Sequence, residues 1–164
     1  PFIYPFIKIA LGTSMRKSEI LSIRLEHIDL QRKTIYIPHA KAGARNQPIT
    51  GNLAIFLEEI LKNTEPGKEW LLPSMVAKSG HLQYPEDSFR DVVKQAELNP
   101  KEVTPHTLRH TAITHLVQAG VDLPTVQRIS GHKTLQMVAR YSHQNGEHIQ
   151  SAMDVLEKRY KAVG

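Results

Sequence analysis

The chain has 164 residues, of which 40% are hydrophobic and 23% are charged. This is the composition of one globular domain, and it excludes a disordered or fibrous chain. The absence of cysteine excludes disulfide bonds, thiolate metal sites and a cysteine nucleophile, and it suits a reducing compartment such as the cytoplasm. The formal net charge of +5 is compatible with a polyanionic partner but does not require one.

The sequence contains no targeting or membrane segment. No stretch reaches the roughly 20 apolar residues that cross a bilayer, and the first residues lack the basic region and cleavage site of a signal peptide. We therefore expect no membrane partner. The chain starts within an apolar segment and without an initiator methionine, so we expect it to be a fragment of a longer protein.

Periodicity and capping signals predict the elements of the first half of the chain. They are helices over residues 2–12, 13–28 and 50–61, and strands over residues 34–38 and 47–49. The two strands form a hairpin with Lys41 and Arg45 near its tip, and Pro48 fits only an edge position.

The second half is predicted to be helical after a loop over residues 74–84. The helices span residues 85–98, 104–119, 122–129 and 133–141, followed by an amphipathic tail over residues 147–163. Thr104 and Pro105 form a strong start signal, because threonine caps and proline suits the first helical position. The whole pattern predicts a mainly α-helical fold with one small antiparallel β-sheet, in the α+β class.

Residues suited to acid–base and phosphate chemistry concentrate in a few short segments. His106 and Arg109 lie three residues apart, on one face of a predicted helix. His132 precedes Tyr141 by nine residues. Far upstream, Arg16 lies in the first turn of a predicted helix, where backbone N–H groups also favour an anion. Together with a lysine on the hairpin, this set is suited to phosphoryl transfer without a metal.

Phosphoryl transfer needs these residue types because charge and protons must move. Attack on a phosphodiester collects negative charge on the non-bridging oxygens, and a planar guanidinium group matches two of them. A tyrosine nucleophile, with a pKa of about 10, requires a base or nearby cations at neutral pH. The departing alkoxide requires a proton from a lysine or a histidine.

Five motifs stand in order along the chain. They are Thr13-Ser14-Met15-Arg16-Lys17-Ser18-Glu19, the hairpin Lys41, the segment His106 to Thr111, Ser130-Gly131-His132, and Tyr141 followed by His143. In their order and spacing they resemble the tyrosine recombinases, or phage integrase family, over essentially the whole chain. Ser14 stands where the family has glycine, which requires that residue to keep a negative φ or to accept strain.

The resemblance implies the tyrosine recombinase catalytic-domain fold and an enzyme of site-specific DNA recombination. Residues 1–164 would be the C-terminal catalytic domain, with an N-terminal core-binding domain, and any arm-binding domain, outside this chain. The partner would be double-stranded DNA, bound in the full-length protein by a homotetramer that holds two duplexes. No cofactor, metal or ATP would be needed, and a bacterial or phage-encoded enzyme would work in the cytoplasm at the nucleoid.

The resemblance also implies roles for the motif residues. Tyr141 would attack the DNA backbone, forming a 3′-phosphotyrosine and freeing a 5′-hydroxyl. Arg16 and Arg109 would hold the scissile phosphate. His106 is a candidate base, and His132 would donate to a phosphate oxygen.

The remaining roles belong to the hairpin and to nearby charges. Lys41 would be the acid for the 5′-oxygen, with Arg45 as a rival because the hairpin is one residue shorter than the common pattern. Arginine rarely releases its proton, which favours Lys41. Glu19 would support the site. Contacts to DNA are expected from Lys17, Arg45 and Lys133.

Four questions remain open at this stage. Residues 122–141 also fit a helix-turn-helix of a non-enzymatic DNA-binding protein, with Gly131 in the turn. A type IB topoisomerase shares the same chemistry. His106 and His110 are spaced as zinc ligands, although neither cysteine nor an adjacent glutamate accompanies them; His110 and His115 are interpreted as structural or rim residues. The C-terminal tail could pack on its own domain or on a neighbouring subunit.

Overall fold

The computed structural model describes residues 2–142 and 146–163, and within them it confirms the predicted class. Helices dominate and one small antiparallel sheet accompanies them. In chain order the elements are α1 (Ile3–Thr13), α2 (Lys17–Leu21), a 3₁₀ turn (Leu25–His27), β1 (Ile28–Asp29), β2 (Thr34–Ile37), β3 (Arg45–Pro48), α3 (Gly51–Lys62), α4 (Glu86–Gln95), α5 (Pro105–Gln118), α6 (Leu123–Ser130), α7 (Leu135–Ala139) and α8 (Gly146–Val163).

The predicted helix over residues 13–28 is wrong in its extent. The segment after α2 leaves the helical conformation because it pairs with a distant part of the chain. Leu25 N–H donates to Glu69 O at 2.9 Å, and Leu71 N–H donates to Ile23 O at 3.0 Å. These bonds satisfy backbone groups that would otherwise continue the helix, and the chain then enters the short strand β1, which the sequence did not predict.

The sheet has the strand order β1-β2-β3 with antiparallel pairing throughout. The predicted hairpin is confirmed, with Ile35 opposite Gln47 and Thr34 opposite Pro48 on the edge strand β3. Ile35 and Ile37 face the core, whereas Tyr36 between them is exposed, as the two-residue period of a strand requires. The hairpin tip is solvent-exposed and carries Lys41.

Two apolar clusters flank α5. The larger packs α1, α2, the sheet and α3 around side chains that include Phe6, Ile9, Met15, Ile20, Ile35, Leu57 and Leu72. The smaller lies among α5, α6 and α7 and contains Ile113, Val117, Val126 and Val138, with Tyr141 packed against it. Because α5 contacts α1 on one side and α6 on the other, a polar residue on α5 can reach both.

The helix starts were predictable from their caps. Thr104 precedes α5 and exchanges hydrogen bonds with Thr107, and Asp122 accepts from Thr125 N–H at 2.9 Å at the start of α6. α7 is shorter than predicted, so Tyr141 follows it in a turn closed by its N–H bond to Val138 O at 3.0 Å. His143 lies outside the described residues.

The tail forms the helix α8, as predicted, and its side chains from residue 149 onward are exposed. The uncovered apolar side chains include Ile149, Met153, Val155, Leu156 and Tyr160. None of the helices in residues 2–142 and 146–163 is both long and apolar enough to span a membrane.

Ser14 closes α1 in a left-handed conformation with φ 57°. The sequence left two outcomes for this position, and the structure has the strained one. The residue is fully buried, and its Oγ has no hydrogen-bond partner among the described residues. Both features cost free energy, because a Cβ disfavours this conformation and a buried hydroxyl needs a partner.

We predict that Ser14→Gly raises the thermal midpoint of unfolding by about 2–4 °C, since relief of the strain is worth about 1 kcal/mol. Ser14→Ala is the matched control: it removes the unpaired hydroxyl but keeps the strained Cβ. Circular dichroism melts measure both variants. A midpoint for Ser14→Gly at or below that of Ser14→Ala would contradict the assignment of strain to the backbone.

Candidate functional site

The α1–α2 junction, α5 and the turn between α6 and α7 meet at one place. They bring together Arg16, Arg109 and His132, with Tyr141 next to them: the ring centroids of His132 and Tyr141 are 6.3 Å apart. These four residues are separated by up to 125 positions in the sequence. The fold therefore assembles the motif residues from both ends of the chain.

Arg109 is held rigidly between the two apolar clusters. It is 3% exposed, and its Nη1 donates to Ser14 O and, at 2.9 Å, to Ser130 O. Burial, and then the neighbouring Arg16, lower the pKa of Arg109 to about 10, which still leaves the guanidinium charged at neutral pH. Two carbonyls, from the C-terminal ends of α1 and α6, thus fix a buried cation in one orientation.

Arg16 is the residue that caps α2. Its backbone N–H donates to Glu19 Oε2 at 2.9 Å, and its Nη1 contacts Glu19 Oε1 at 3.4 Å. Both terminal nitrogens also lie 3.4 Å from Gly131 O. The carboxylate of Glu19, 3% exposed, therefore orients Arg16 towards the turn that carries His132.

Arg45 does not lie where a DNA contact or the acid, the two roles considered from the sequence, would place it. Its Nη1 and Nη2 donate to the Glu19 carboxylate at 3.1 and 3.3 Å, and Nη2 also donates to Gln47 Oε1 at 2.9 Å. A Cβ at Gly131 would lie only 2.7 Å from Arg45 Cζ. The guanidinium is thus packed inward, in a space that requires glycine at 131. The buried Gln47, which sequence reasoning missed, also donates to Thr13 O at 3.2 Å.

His132 is buried and makes two polar contacts. Its Nε2 is 3.4 Å from Arg109 Nη2, and its Nδ1 is 2.6 Å from Ser130 Oγ. Because a guanidinium has only donors, Nε2 accepts from Arg109 and Nδ1–H donates to Ser130. Burial, followed by the charges of Arg109 and Arg16, lowers the pKa of His132 to about 4. The imidazole is therefore neutral at neutral pH.

The hydroxyl of Tyr141 contacts two side chains that sequence reasoning did not place there. His110 Nδ1 lies 2.5 Å from it, and Arg140 Nη2 donates to it at 3.2 Å. His110 was expected to be a structural or rim residue. Its only sequence signal was its spacing of four residues from His106, whose ring packs edge-on against that of His110 at 4.3 Å between centroids.

The three lysines predicted to act as the acid or to contact DNA lie apart from this cluster. Lys41 is exposed at the hairpin tip, with no hydrogen bond or ion pair to any other described residue. Lys17 forms an ion pair with Glu86. Lys133 is exposed, immediately after His132.

The charge of the cluster defines what it can bind. The cluster and its surroundings contain four guanidinium groups, from Arg16, Arg45, Arg109 and Arg140, and one carboxylate, from Glu19, which pairs with Arg16 and Arg45. A site with this excess of fixed donors attracts an anion with several oxygens, such as a phosphate. Within the described residues no three His, Asp or Glu side chains are grouped so that they could hold a metal ion.

The helix-turn-helix alternative does not fit the structure. The turn at Gly131 faces inward and its carbonyl accepts from Arg16. The helix that would read DNA, α7, has only five residues. A recognition helix needs an exposed, longer face to enter a groove.

Comparisons with known proteins agree with this fold. The model of the phage integrase family matches residues 3–148. The chain is 30% identical over 155 residues to tyrosine recombinase XerC of Roseiflexus sp. (strain RS-1), which covers 91% of this chain and 49% of that protein. Its fold is similar to that of the Tn1549 transposon integrase in complex with transposon right end DNA, at 23% identity and a TM-score of 0.78, over 94% of this chain and 58% of that one.

A third similar protein is a catalytic domain whose structure was solved by itself. The catalytic domain of bacteriophage HP1 integrase matches with 27% identity and a TM-score of 0.65, over 94% of this chain and 82% of that one. The fold is that of the tyrosine recombinase catalytic domains. The chain belongs to the phage integrase family. It spans about half the length of the curated relatives it matches.

The lowered pKa of His132 predicts how stability depends on pH. The folded state keeps this imidazole neutral down to about pH 4, whereas the unfolded chain binds a proton below about pH 6.5. The contribution of His132 to stability should therefore be constant above about pH 7 and fall as the pH drops from about 6.5 to 4. Burial lowers the pKa of His106 and His110 in the same direction.

Thermal melts between pH 8 and pH 4.5 measure this dependence. In His132→Gln the midpoint should fall less steeply with acid than in the parent chain, because one of the three histidines no longer titrates. His115→Gln, which changes an exposed histidine on the same helix as His110, should keep the parental slope. Equal slopes for His132→Gln and the parent chain would show that His132 is not held neutral.

Proposed function

We propose that this chain is the C-terminal catalytic domain of a site-specific DNA recombinase, which cleaves and rejoins double-stranded DNA through a covalent 3′-phosphotyrosine. The observation that carries the proposal is the position of the Tyr141 hydroxyl, beside a cluster of arginines with a buried histidine. Such a cluster matches the charge that develops on an attacked phosphodiester. The names of the relatives, a tyrosine recombinase and a shufflon-specific DNA recombinase of Escherichia coli, support the same activity.

The domain assignment rests on length. The curated relatives are about twice as long as this chain, and the HP1 integrase domain that matches most of its own length is a catalytic domain. We assign an N-terminal core-binding domain, and any arm-binding domain, to the remainder of the full-length protein.

The chemistry follows from the contacts in the cluster. Arg16 and Arg109 hold the non-bridging oxygens of the scissile phosphate, each through N–H groups that its scaffold contacts leave free. When a phosphate oxygen accepts the hydrogen bond from Arg109 Nη2, that bond is no longer made to His132 Nε2. The negative charge of the phosphate also offsets the arginines that keep His132 neutral, so that His132 can then carry a proton and donate to an oxygen.

Rejoining reverses the same steps. The phosphotyrosine bond conserves the energy of the phosphodiester, so the 5′-hydroxyl can attack it without ATP or a metal. The enzyme has no cofactor in this scheme, and the arginines supply the charge stabilisation that a metal supplies in other phosphoryl-transfer sites.

The other contacts to DNA are made by exposed cations. Lys133 follows His132 on the surface and is free to approach the backbone. Lys17 would exchange the carboxylate of Glu86 for a phosphate, at little cost because an exposed ion pair is worth less than about 1 kcal/mol. The enzyme would act where its DNA is, at the nucleoid in the cytoplasm.

The assembly that we propose is a homotetramer on two duplexes. The uncovered apolar side chains of α8, including Ile149 and Met153 at 62% and 54% exposure, support docking of this helix on a neighbouring subunit. Apolar side chains in one face of a helix gain free energy when another surface covers them.

We predict that Tyr141→Phe abolishes the covalent adduct and leaves DNA affinity intact, because only the attacking oxygen is lost. The assay uses the full-length protein and a nicked suicide duplex built from the junction that flanks its gene, with denaturing gels for the adduct and a mobility shift for binding. Tyr84→Phe, on an exposed loop position, is the control and should form the adduct normally. An adduct formed by Tyr141→Phe would assign the nucleophile to another residue.

The role of Lys41 is tested with a substrate in which sulfur replaces the 5′-bridging oxygen. A thiolate leaves without a proton because a thiol has a pKa near ~8.5, far below that of an alcohol. Lys41→Ala should therefore cleave the normal duplex slowly, by a factor of about 10²–10⁴, and cleave the sulfur duplex at close to the parental rate.

Two arginine variants are the controls for Lys41. Arg16→Ala and Arg45→Ala should be impaired on both duplexes, since sulfur does not replace charge on the non-bridging oxygens or a partner for Glu19. Rescue of Arg45→Ala by sulfur, without rescue of Lys41→Ala, would move the acid role to Arg45.

A further inference from the structure

The hydroxyl of Tyr141 already has a hydrogen-bond acceptor in place. The distance from Tyr141 Oη to His110 Nδ1 is 2.5 Å, and the distance to Arg140 Nη2 is 3.2 Å. A guanidinium only donates, so Arg140 occupies a lone pair of the phenol oxygen. The hydroxyl proton is then directed to His110.

His110 can accept that proton only if its imidazole is neutral. Burial lowers its pKa, and the neighbouring His106, Arg140 and Arg109 lower it further, in that order. These groups lie on α5 and on the segment that ends in Tyr141, and His132 on the α6–α7 turn is also coupled to His110 by charge. The imidazole is therefore a free base at neutral pH, with Nδ1 pointing at the nucleophile.

The other two histidines of the site are differently engaged. His132 uses Nδ1 on Ser130 and Nε2 on Arg109. His106 packs edge-on against His110 and has no hydrogen bond to Tyr141 among the described residues. Of the three, His110 is the one in direct contact with the reacting oxygen.

We propose that His110 is the general base for Tyr141, a role that rests on the proposed DNA cleavage. In cleavage the Oη–H bond breaks and the proton moves to His110 Nδ1, while the Oη–P bond forms and the bond from phosphorus to the 5′-oxygen breaks. The 5′-oxygen receives its own proton from Lys41. In rejoining, the proton on His110 returns to the phenol oxygen as the phosphotyrosine bond breaks.

Arg140 and the phosphate make this transfer favourable. As the proton leaves, charge develops on Oη next to the guanidinium of Arg140, whose Cζ lies 5.1 Å from the Tyr141 ring centroid. The protonated His110 adds a positive charge to a cluster that has just bound an anion. Transfer of the proton from Tyr141 to His110 is therefore favoured when a phosphate is bound. In the absence of DNA, Tyr141 stays protonated and unreactive.

The experiment measures single-turnover adduct formation by the full-length protein on the suicide duplex, as a function of pH. His110→Gln keeps a polar side chain but cannot act as a base, and should be slower by about 10²–10⁴. Its rate should also lose the acidic limb of the parental pH profile. His115→Gln, an exposed neighbour on α5, should match the parental rate.

A second arm changes the acidity of the nucleophile. A fluorinated tyrosine, whose phenol is more acidic, replaces Tyr141, so that the need for a base falls. The ratio of the parental rate to the His110→Gln rate should then shrink by at least tenfold. A gap of unchanged size would assign His110 a structural role and overturn the proposal. A parental rate for His110→Gln with natural tyrosine would do the same.

Two further measurements distinguish a failure of folding, or of the proposed recombinase activity, from a failure of the base role of His110. Circular dichroism and DNA binding check that His110→Gln is folded. If it is not, His110→Ala is assayed with added imidazole in its place. A His110→Ala variant that is folded and binds DNA, but whose rate imidazole does not raise, contradicts the proposal. If the parental protein with Tyr141 forms no adduct, the proposed recombinase activity fails instead.

Discussion

The site depends on one buried carboxylate. Glu19 is almost completely inaccessible, and it accepts from the backbone and side chain of Arg16 and from the guanidinium of Arg45. A carboxylate in this environment is stable only when it is paired. Its two partners come from the start of α2 and from the edge strand β3, so the ion pairs join these elements. Gly131, pressed against Arg45 and bonded to Arg16, brings in the α6–α7 turn.

The same network explains the unusual backbone around it. Ser14 accepts from Arg109 through its carbonyl while its own φ is left-handed, and Gly131 combines positive φ with the close approach of Arg45. Strain of this kind persists where the surrounding contacts determine the conformation. Here those contacts are charge-assisted bonds from arginines to carbonyls. The result is a rigid set of donors, which is the property that electrostatic stabilisation of a transition state requires.

The excess of positive charge has a second consequence, for proton transfer. Burial lowers the pKa values of His106, His110 and His132, and the neighbouring arginines lower them further. These histidines are therefore neutral acceptors in the free protein, and the anionic phosphate reverses part of that effect. In the proposed reaction, the binding of DNA and the protonation of these histidines would therefore be coupled through charge.

Local sequence patterns predicted most elements of the fold. The hairpin, the cap at Thr104 and the tail helix follow from two-residue and 3.6-residue periods and from capping chemistry. The extent of α2 and the strand β1 did not follow, because Ile23 and Leu25 pair with residues near 70. A period measured within one segment carries no information about such a distant partner.

By itself the sequence determined the family and the residue types suited to the proposed chemistry, because motif order and spacing are covalent properties of the chain. Tertiary structure alone decided which of these residues touch. It turned Arg45 inward onto Glu19, left Lys41 at an exposed tip, and placed His110 rather than His106 on the hydroxyl of Tyr141. His106 and His110 share one helix, and only the packing of α7 against α5 and α6 chooses between them.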